Sequence, residues 1–420
     1  MTPDVRQFDL VVLGAGAAGL MCAAVAGARG RRVALLEHSA QPGRKILISG
    51  GGRCNVTHDV VRPEDFCGAN PRMIAQTLRH FTVADTIAFF AELGVVLKTE
   101  DTGKLFPVSD DAHTVLDALL RACARAGAAV RGACPVTAVA TDSDGFVLTT
   151  PDGPLRARRL VIATGGRSLP KTGSDGSGYR LAQVLGHTVA PQFPALVPLV
   201  LEKDHWLTGL SGIAVDALLT LRSASGRTLH RQQGAVLCTH FGLSGPAVMD
   251  ISRHWIAAHA ADPAVTLTAD LTAGQEFSAV ESRLLEHARK HPRATAAAAL
   301  RPLLPERLAV ALCRHAAGID PATSLAHLTR DDRRALLHAL TALPLPVLRD
   351  RGYLFAEVTA GGVPLDEIDP ATMASRRCPG LYFCGEILDA DGRNGGYNFQ
   401  WAWCTGFLAG RHAAASLFPP

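Results

Sequence analysis

Residues Gly14-Ala-Gly-Ala-Ala-Gly19 constrain this chain more than any other feature. They stand between an apolar run at 8–13, which predicts a buried strand, and an alanine-rich run at 17–29, which predicts a helix. A second apolar run at 32–37 completes a strand–helix–strand unit. In such a unit the glycines permit a tight turn and let backbone N–H groups approach a pyrophosphate, and the helix N-terminus adds partial positive charge. Glu37 follows Gly19 by 18 positions, close to the roughly 20 expected of an acidic partner for a ribose 2′-hydroxyl. An acid at that place favours an unphosphorylated ribose. The plainer reading is a tight strand-to-helix turn with no ligand.

The same unit accounts for a stretch that mimics a membrane span. Residues 11–28 are almost free of charge, but Gly14, Gly16, Gly19 and Gly27 interrupt them, and Asp4 and Arg6 nearly cancel before them. A buried turn and helix explain the stretch better than a signal peptide or anchor, so no membrane partner is expected. The ten cysteines form no C-x-x-C pair and show no zinc-ligand spacing. Reduced thiols in a cytoplasmic protein are the simple reading.

At 420 residues, two or three domains are expected. The net charge of +4 does not by itself argue for nucleic acid. Among the 42 basic residues only Lys45, Lys98, Lys104, Lys171, Lys203 and Lys290 are lysines. Arginine suits bidentate phosphate contacts, although a GC-rich genome enriches it equally.

Further along, 41–57 reads as a glycine-rich loop, 71–93 and 112–126 as helices, and 130–139, 146–150 and 155–162 as strands. From 193 the texture changes: 197–201, 215–222 and 234–239 alternate like antiparallel strands, and 276–345 is helical. Strand–turn texture then returns, with a short strand at 381–384 and a helix at 398–417. These predict an α/β protein with a discontinuous Rossmann-type nucleotide-binding domain at 1–192 and 351–420. An inserted β-rich domain is expected at 193–275 and an inserted helical segment at 276–350.

Two later clusters specify the nucleotide. Cys384-Gly385-Glu386-Ile-Leu-Asp389 follows a buried strand, and Gly392 to Asn398 leads into the last helix. A strand ending in Gly-Glu, followed by a helix whose N-terminus faces the isoalloxazine, is how flavoproteins of the two-dinucleotide-binding type complete an FAD site; positive potential there stabilises reduced flavin. Ala163-Thr164-Gly165-Gly166 supplies the strand-to-flavin crossover. No further G-x-G-x-x-G follows Gly166, so NADH or NADPH is expected to bind transiently.

Four strings together resemble one bacterial flavoprotein family: Gly43-Arg-Lys-Ile-Leu-Ile-Ser-Gly-Gly-Gly-Arg-Cys-Asn55, Thr239-His-Phe-Gly-Leu-Ser-Gly-Pro246, Thr359-Ala-Gly-Gly-Val363 and Gly385-Glu386 with Gly395-Gly-Tyr-Asn398. Its members are called aminoacetone oxidase family FAD-binding enzymes, bile-acid-reductase-like oxidoreductases and ribosomal RNA dihydrouridine synthases. The resemblance implies FAD and an inserted β-barrel-like part with a helical part. It places the cofactor against Gly14, Gly16, Ala17, Ala18, Gly19, Glu37, His38, Gly43, Arg44, Lys45, Ser49, Gly51, Arg53, Cys54 and Asn55. The same resemblance adds Val136 at the adenine, then Thr164, Gly165, Gly166, Gly385, Glu386, Asp389, Gly395, Gly396, Tyr397 and Asn398. Lys45 and Arg53 are candidates to hold phosphate or an anionic substrate.

Three residues are candidate proton donors: Cys54, Tyr397 and His240. The plainer reading has Cys54 packing small beside the flavin, and Tyr397 and His240 acting in structure or substrate positioning. His254 and His259 lack metal spacing, and no metal is expected. Ser211 and Ser244 sit in G-L-S-G rather than a nucleophile elbow, which argues against a hydrolase. The expected activity is an NAD(P)H-linked, FAD-dependent reduction of an electron-poor C=C. The acceptor is uridine of ribosomal RNA, approached through Arg283, Arg289, Arg293, Arg301, Arg307, Arg314, Arg330, Arg333 and Arg334, or else a small enone; the alternative small-molecule activity is oxidation of an amine, with O₂ as the acceptor. A flavin-stabilised RNA-binding factor without turnover is the alternative from another class. The sequence sets no oligomeric state.

Overall fold

The computed structural model of the chain describes residues 6–417. The outermost positions of the expected nucleotide-binding domain, 1–5 and 418–420, lie outside the described residues. The chain divides into two compact units, Met1–Phe193 with Glu357–Pro420, and Pro194–Ala356.

The first unit is built on a seven-stranded sheet. Its spatial order is Ala129–Arg131, Val33–Leu36, Arg6–Leu13, Gly153–Ile162, Gly145–Thr150 and Ala138–Asp142. The strand Gly153–Ile162 is shared. Its first half pairs antiparallel with Gly145–Thr150, and its last three residues pair parallel with Leu381–Phe383. Leu10, Val11 and Val12 in the opening strand, and Leu160, Val161 and Ile162 in the shared one, are fully buried. A parallel strand covered on both faces reads as an unbroken apolar run.

The helix Ala17–Gly27 buries every residue except Ala17. The closing helix Tyr397–Ala415 packs directly against it. A β-carbon on Gly406 would stand 2.5 Å from the Ala18 carbonyl oxygen, and one on Gly410 would stand 2.5 Å from that of Cys22. These two glycines let the backbones approach closely, which places the last helix beside the glycine loop. Among the described residues no helix is long and apolar enough to cross a membrane.

Local expectations needed correction where turn chemistry intervened. The strand expected at 130–139 is two strands, because Ala133 adopts φ 51° and the Ala133 and Cys134 N–H groups donate to the Ser39 and Glu37 carbonyls at 2.8 and 2.9 Å. The helix expected at 71–93 is two helices, Pro71–Leu78 and Val83–Glu92. Thr82 restarts the second through a capping box with Asp85. The loop at 41–57 contains a short helix, Arg44–Ile48.

The second unit has a seven-stranded antiparallel sheet in the order Leu343–Pro344, Thr266–Asp270, Ala214–Arg222, Thr228–Thr239, Gly242–Ser244, Leu199–Leu201 and Val347–Asp350. Its two outermost strands are consecutive along the chain. Between them the Leu345 N–H donates to Leu267 O at 2.9 Å, and the Pro346 carbonyl accepts from Glu202 N at 3.0 Å. That short connection draws the sheet round on itself in a barrel-like curl. The helical residues form Phe277–Lys290, Ala296–Leu300, Glu306–Ala311 and Arg330–Thr341. Leu336, Leu337 and Leu340 share one core with Leu219, Leu267 and Ala269 of the sheet.

Candidate active site

The glycine loop is held open from beneath. The Gly14 N–H donates to Leu36 O at 2.7 Å, and the Glu37 carboxylate accepts from Ala15 N at 2.8 Å. Its other oxygen takes Ser39 N and Ser39 Oγ at 2.9 and 2.7 Å. Glu37 therefore fixes the loop through both carboxylate oxygens. His38 lies alongside, its Nδ1 3.5 Å from the same carboxylate. No side chain caps the helix at Gly16, and Leu20 is the first residue to bond back, at 2.9 Å to Gly16 O. The N–H groups of Ala17, Ala18 and Gly19 are thus left for an anion.

Three observations show that the residues fit a flavin dinucleotide. A β-carbon at Gly16 would meet nothing within 4 Å, so the loop has open space beside it. Thr164 Oγ1 and Asn55 Oδ1 are both buried without a hydrogen-bond partner among the described residues. Such orphaned atoms are costly unless a ligand satisfies them. They lie in the crossover string and in the Gly43–Asn55 string, both of which the sequence assigned to the cofactor.

The segment after Gly43 is anchored at each end. Gly43 N–H donates to Ala15 O at 2.8 Å. Lys45 Nζ donates to Glu386 Oε2 at 2.9 Å and to Ser168 Oγ at 3.1 Å. Glu386 Oε1 accepts from Ser168 Oγ at 2.9 Å and Thr359 N at 3.0 Å. Lys45, expected to hold an anion, is instead committed to this carboxylate. Arg53 is likewise committed, to Glu100 at 2.5 Å and across the Phe106 ring at 4.0 Å. Arg44 opens the short helix, and Ser49 Oγ turns back to Ile46 O at 2.8 Å. Gly51 takes φ 70°, and the space beside its Cα is open.

The C-terminal strand end is clamped by the last helix. Gly385 N–H donates to Thr405 Oγ1 at 2.9 Å, and its carbonyl accepts from Trp401 Nε1 at 3.3 Å. Asn398 bonds both backbone groups of Gly392, at 2.8 and 2.9 Å. Gly395 and Gly396 both have positive φ, and a β-carbon on Gly396 would stand 2.6 Å from the Thr57 carbonyl. Asp389 is buried and joined through its N–H to Val363 O at 2.9 Å. Gly165 takes φ 70°, and Gly166 packs on Thr359. Val136 is half-buried on the margin of the first unit's core.

The three candidate proton donors fare differently. Cys54 has no exposed surface, and burial pushes its thiol up to about 12. Packing seals the thiol, so the geometry favours the packing role for Cys54 over proton donation. Tyr397 is 6 % exposed and stacks on His58, with ring centroids 4.9 Å apart. His240 is exposed in the second unit, edge-on to Phe241 at 5.1 Å. The sequence assigned no site role to Ser168, Thr359 or His58. Thr359, at the head of the Thr-Ala-Gly-Gly-Val string, accepts from Arg167 N and Ser168 N at 2.8 and 3.0 Å. That string was the available signal for it. No group of three or more His, Cys, Asp or Glu among the described residues is placed to hold a metal ion.

Comparison with known proteins agrees with this arrangement. The family model described as the HI0933-like protein Rossmann domain matches residues 8–412. A ribosomal RNA dihydrouridine synthase of Escherichia coli strain K12 is 37% identical over 414 residues, covering 98% of this chain and 99% of its own. A 3-dehydro-bile acid delta(4,6)-reductase of Clostridium scindens is 36% identical over 409 residues, covering 96% and 98%. In fold alone, the chain is similar to a 3-ketosteroid-delta4-(5alpha)-dehydrogenase of Rhodococcus jostii RHA1 (TM-score 0.52, 17% identity, 99% of this chain and 98% of that one). These matches span nearly the whole chain, and the chain belongs to the HI0933-like family of FAD-dependent oxidoreductases.

Proposed function

We propose that this protein reduces the C5=C6 bond of a uridine in ribosomal RNA to dihydrouridine in the cytoplasm, with NADH or NADPH as electron source. When bound, FAD supplies the two-electron carrier between donor and acceptor. The chain's own residues bind and orient it. Ala17, Ala18 and Gly19 take the pyrophosphate, Glu37 and His38 the ribose, and Val136 the adenine. Residues of the strings Gly43–Asn55, Thr164–Gly166 and Gly385–Asn398 surround the isoalloxazine.

The observation that favours an RNA acceptor is in the second unit. Arg283, Arg293, Arg314, Arg330 and Arg334 are exposed, with no acidic partner among the described residues, while Arg289 shares the Glu286 carboxylate with Lys290. Unpaired arginines on one helical segment suit a phosphate backbone. Arg301 and Arg333 are paired, with Glu306 and Glu281, and Arg307 donates to Gly209 O at 3.3 Å. The name of the Escherichia coli relative supports the same acceptor. The name of the Clostridium scindens relative supports a second reading, a small conjugated ketone.

The test is anaerobic reduction of the purified holoenzyme by NADH or NADPH, followed by addition of a ribosomal RNA fragment and mass analysis of its nucleosides. The proposal expects bleaching of the flavin band, reoxidation on adding RNA, and a two-hydrogen gain on uridine that weakens steeply as salt rises. Bleaching followed by reoxidation with a conjugated ketone but not with RNA would move the activity to a small acceptor.

A further inference from the structure

We propose that Phe241, Arg351 and Phe355 form a platform for single-stranded RNA, stacking a base and holding a phosphate; this assignment rests on the RNA reading above. The Arg351 guanidinium carbon lies 4.0 Å from the centroid of the Phe241 ring and 3.5 Å from that of Phe355. Both contacts are cation–π contacts, which orient the planar group against the two rings. No carboxylate or carbonyl accepts from this guanidinium among the described residues. Its N–H donors are therefore oriented and unspent.

The backbone holds the arrangement. Arg351 N–H donates to Pro198 O at 3.1 Å, the Gly352 N–H donates to Asp350 Oδ1 at 2.6 Å, and Phe355 N–H closes a turn on Gly352 O at 3.1 Å. The turn and the strand Val347–Asp350 before it carry apolar side chains outward. Phe355 is 43% exposed, and Leu354 and Leu348 are 57% and 53% exposed. His240 is exposed beside Phe241.

An exposed aromatic face beside an oriented, unpaired guanidinium matches one ligand chemistry well. A nucleobase of any identity stacks on the ring, and the adjoining phosphate takes the fork of the guanidinium. A purely apolar ligand would leave the cation unsatisfied. The exposed arginines of the helical part of the same unit add positive charge of the sign this ligand requires.

The test uses the holoenzyme and a uridine-rich single strand of roughly twelve nucleotides carrying one 2-aminopurine. Binding is followed by fluorescence anisotropy of an end label over a salt series, and stacking by quenching of the 2-aminopurine. Phe355→Leu is expected to weaken binding by about tenfold, to abolish the quenching and to leave the salt slope unchanged. Phe355→Tyr is expected to restore both binding and quenching. Arg351→Gln is expected to lower the salt slope by about one contact. Thermal midpoints and retained flavin absorbance identify a variant that has failed to fold.

If the unaltered protein binds RNA and these variants match it in affinity, slope and quenching, the platform is wrong while the RNA reading stands. If the unaltered protein neither binds the strand nor hydrogenates uridine, the RNA reading fails and the platform with it. If Phe355→Leu and Arg351→Gln raise KM for a cyclic enone and leave RNA binding intact, the platform serves a small acceptor and the proposal is overturned.

Discussion

Lys45 and Glu386 stand 341 residues apart in the chain, yet the lysine ammonium donates to the carboxylate at 2.9 Å. The pair joins the glycine-rich segment after the first nucleotide motif to the strand end before the last helix. Both side chains are mostly buried, at 26% and 15% exposure. Removing one partner leaves the other desolvated and underpaired. Lys45→Met is expected to destabilise the protein by about 1–3 kcal/mol and to lower FAD retention. The double variant Lys45→Met with Glu386→Gln should recover part of that loss. Urea unfolding of the unaltered protein, of Lys45→Met and Glu386→Gln singly and of the double variant checks it as a double-mutant cycle, and strict additivity would show that the pair is not coupled.

The site was legible wherever its chemistry is local in sequence. Gly14, Gly16, Gly19 and Glu37 fall within one strand–helix–strand unit, so spacing alone names them. Lys45 was legible as a residue and not as a partner, because nothing near it in sequence points to Glu386. Thr405 and Trp401, which grip Gly385 from inside the last helix, were hidden for another reason: nothing in the helical spacing says which face of that helix turns toward Gly385. Fold errors arose from short-range chemistry overridden by periodicity. Thr82 and Asp85 spell a capping box in plain sight, but the apolar spacing on either side suggested one continuous helix. Ala133 gave no such sign: alanine seldom takes a positive φ, and the bonds to Ser39 and Glu37 that hold it there come from a distant strand end.

Cys54 offers a direct test of the acid catalyst. Its thiol is sealed by packing and raised to about 12, so it neither ionises nor meets solvent near neutral pH. Cys54→Ala is expected to retain turnover within about twofold while losing about 1–2 kcal/mol of stability from the small cavity. Steady-state kinetics on the variant decide the point. A loss of turnover with flavin absorbance retained would return proton donation to this thiol.

Acid should loosen the second unit through His254. Burial, together with the charges of His230 and Arg253, pulls this imidazole from 6.5 down to about 3. The folded form holds it neutral and the unfolded form protonates it more readily. Its stabilising contribution is therefore complete above pH 6.5 and is lost as pH falls toward about 3. His187 in the first unit is also lowered by burial, against the opposing pull of Glu367, and contributes with the same sign. His254→Asn should flatten, without abolishing, the fall in unfolding midpoint across that range. Urea titrations at a series of pH values, read by tryptophan fluorescence, measure it; an unchanged slope would remove His254 from the account.

Two of the three glycines of the first motif, Gly16 and Gly19, should fail in different ways. A β-carbon on Gly19 would stand 1.8 Å from the Gly14 carbonyl oxygen, a backbone atom with no room to yield. Gly19→Ala is therefore expected to break the packing of the opening helix against its own loop and to lower the thermal midpoint of protein stripped of FAD. At Gly16 the β-carbon would meet nothing within 4 Å, and the residue has φ −79°, open to any side chain. Gly16→Ala should cost the stripped protein less than about 1 kcal/mol, the ordinary penalty for losing glycine at a helix N-cap. The added methyl instead occupies space that a pyrophosphate needs to reach the N–H groups of Ala17, Ala18 and Gly19, so FAD affinity should fall at least tenfold. Thermal melts of the stripped proteins, paired with FAD titration by flavin fluorescence, separate the two effects. Equal FAD affinity in Gly16→Ala and the unaltered protein would place the pyrophosphate elsewhere.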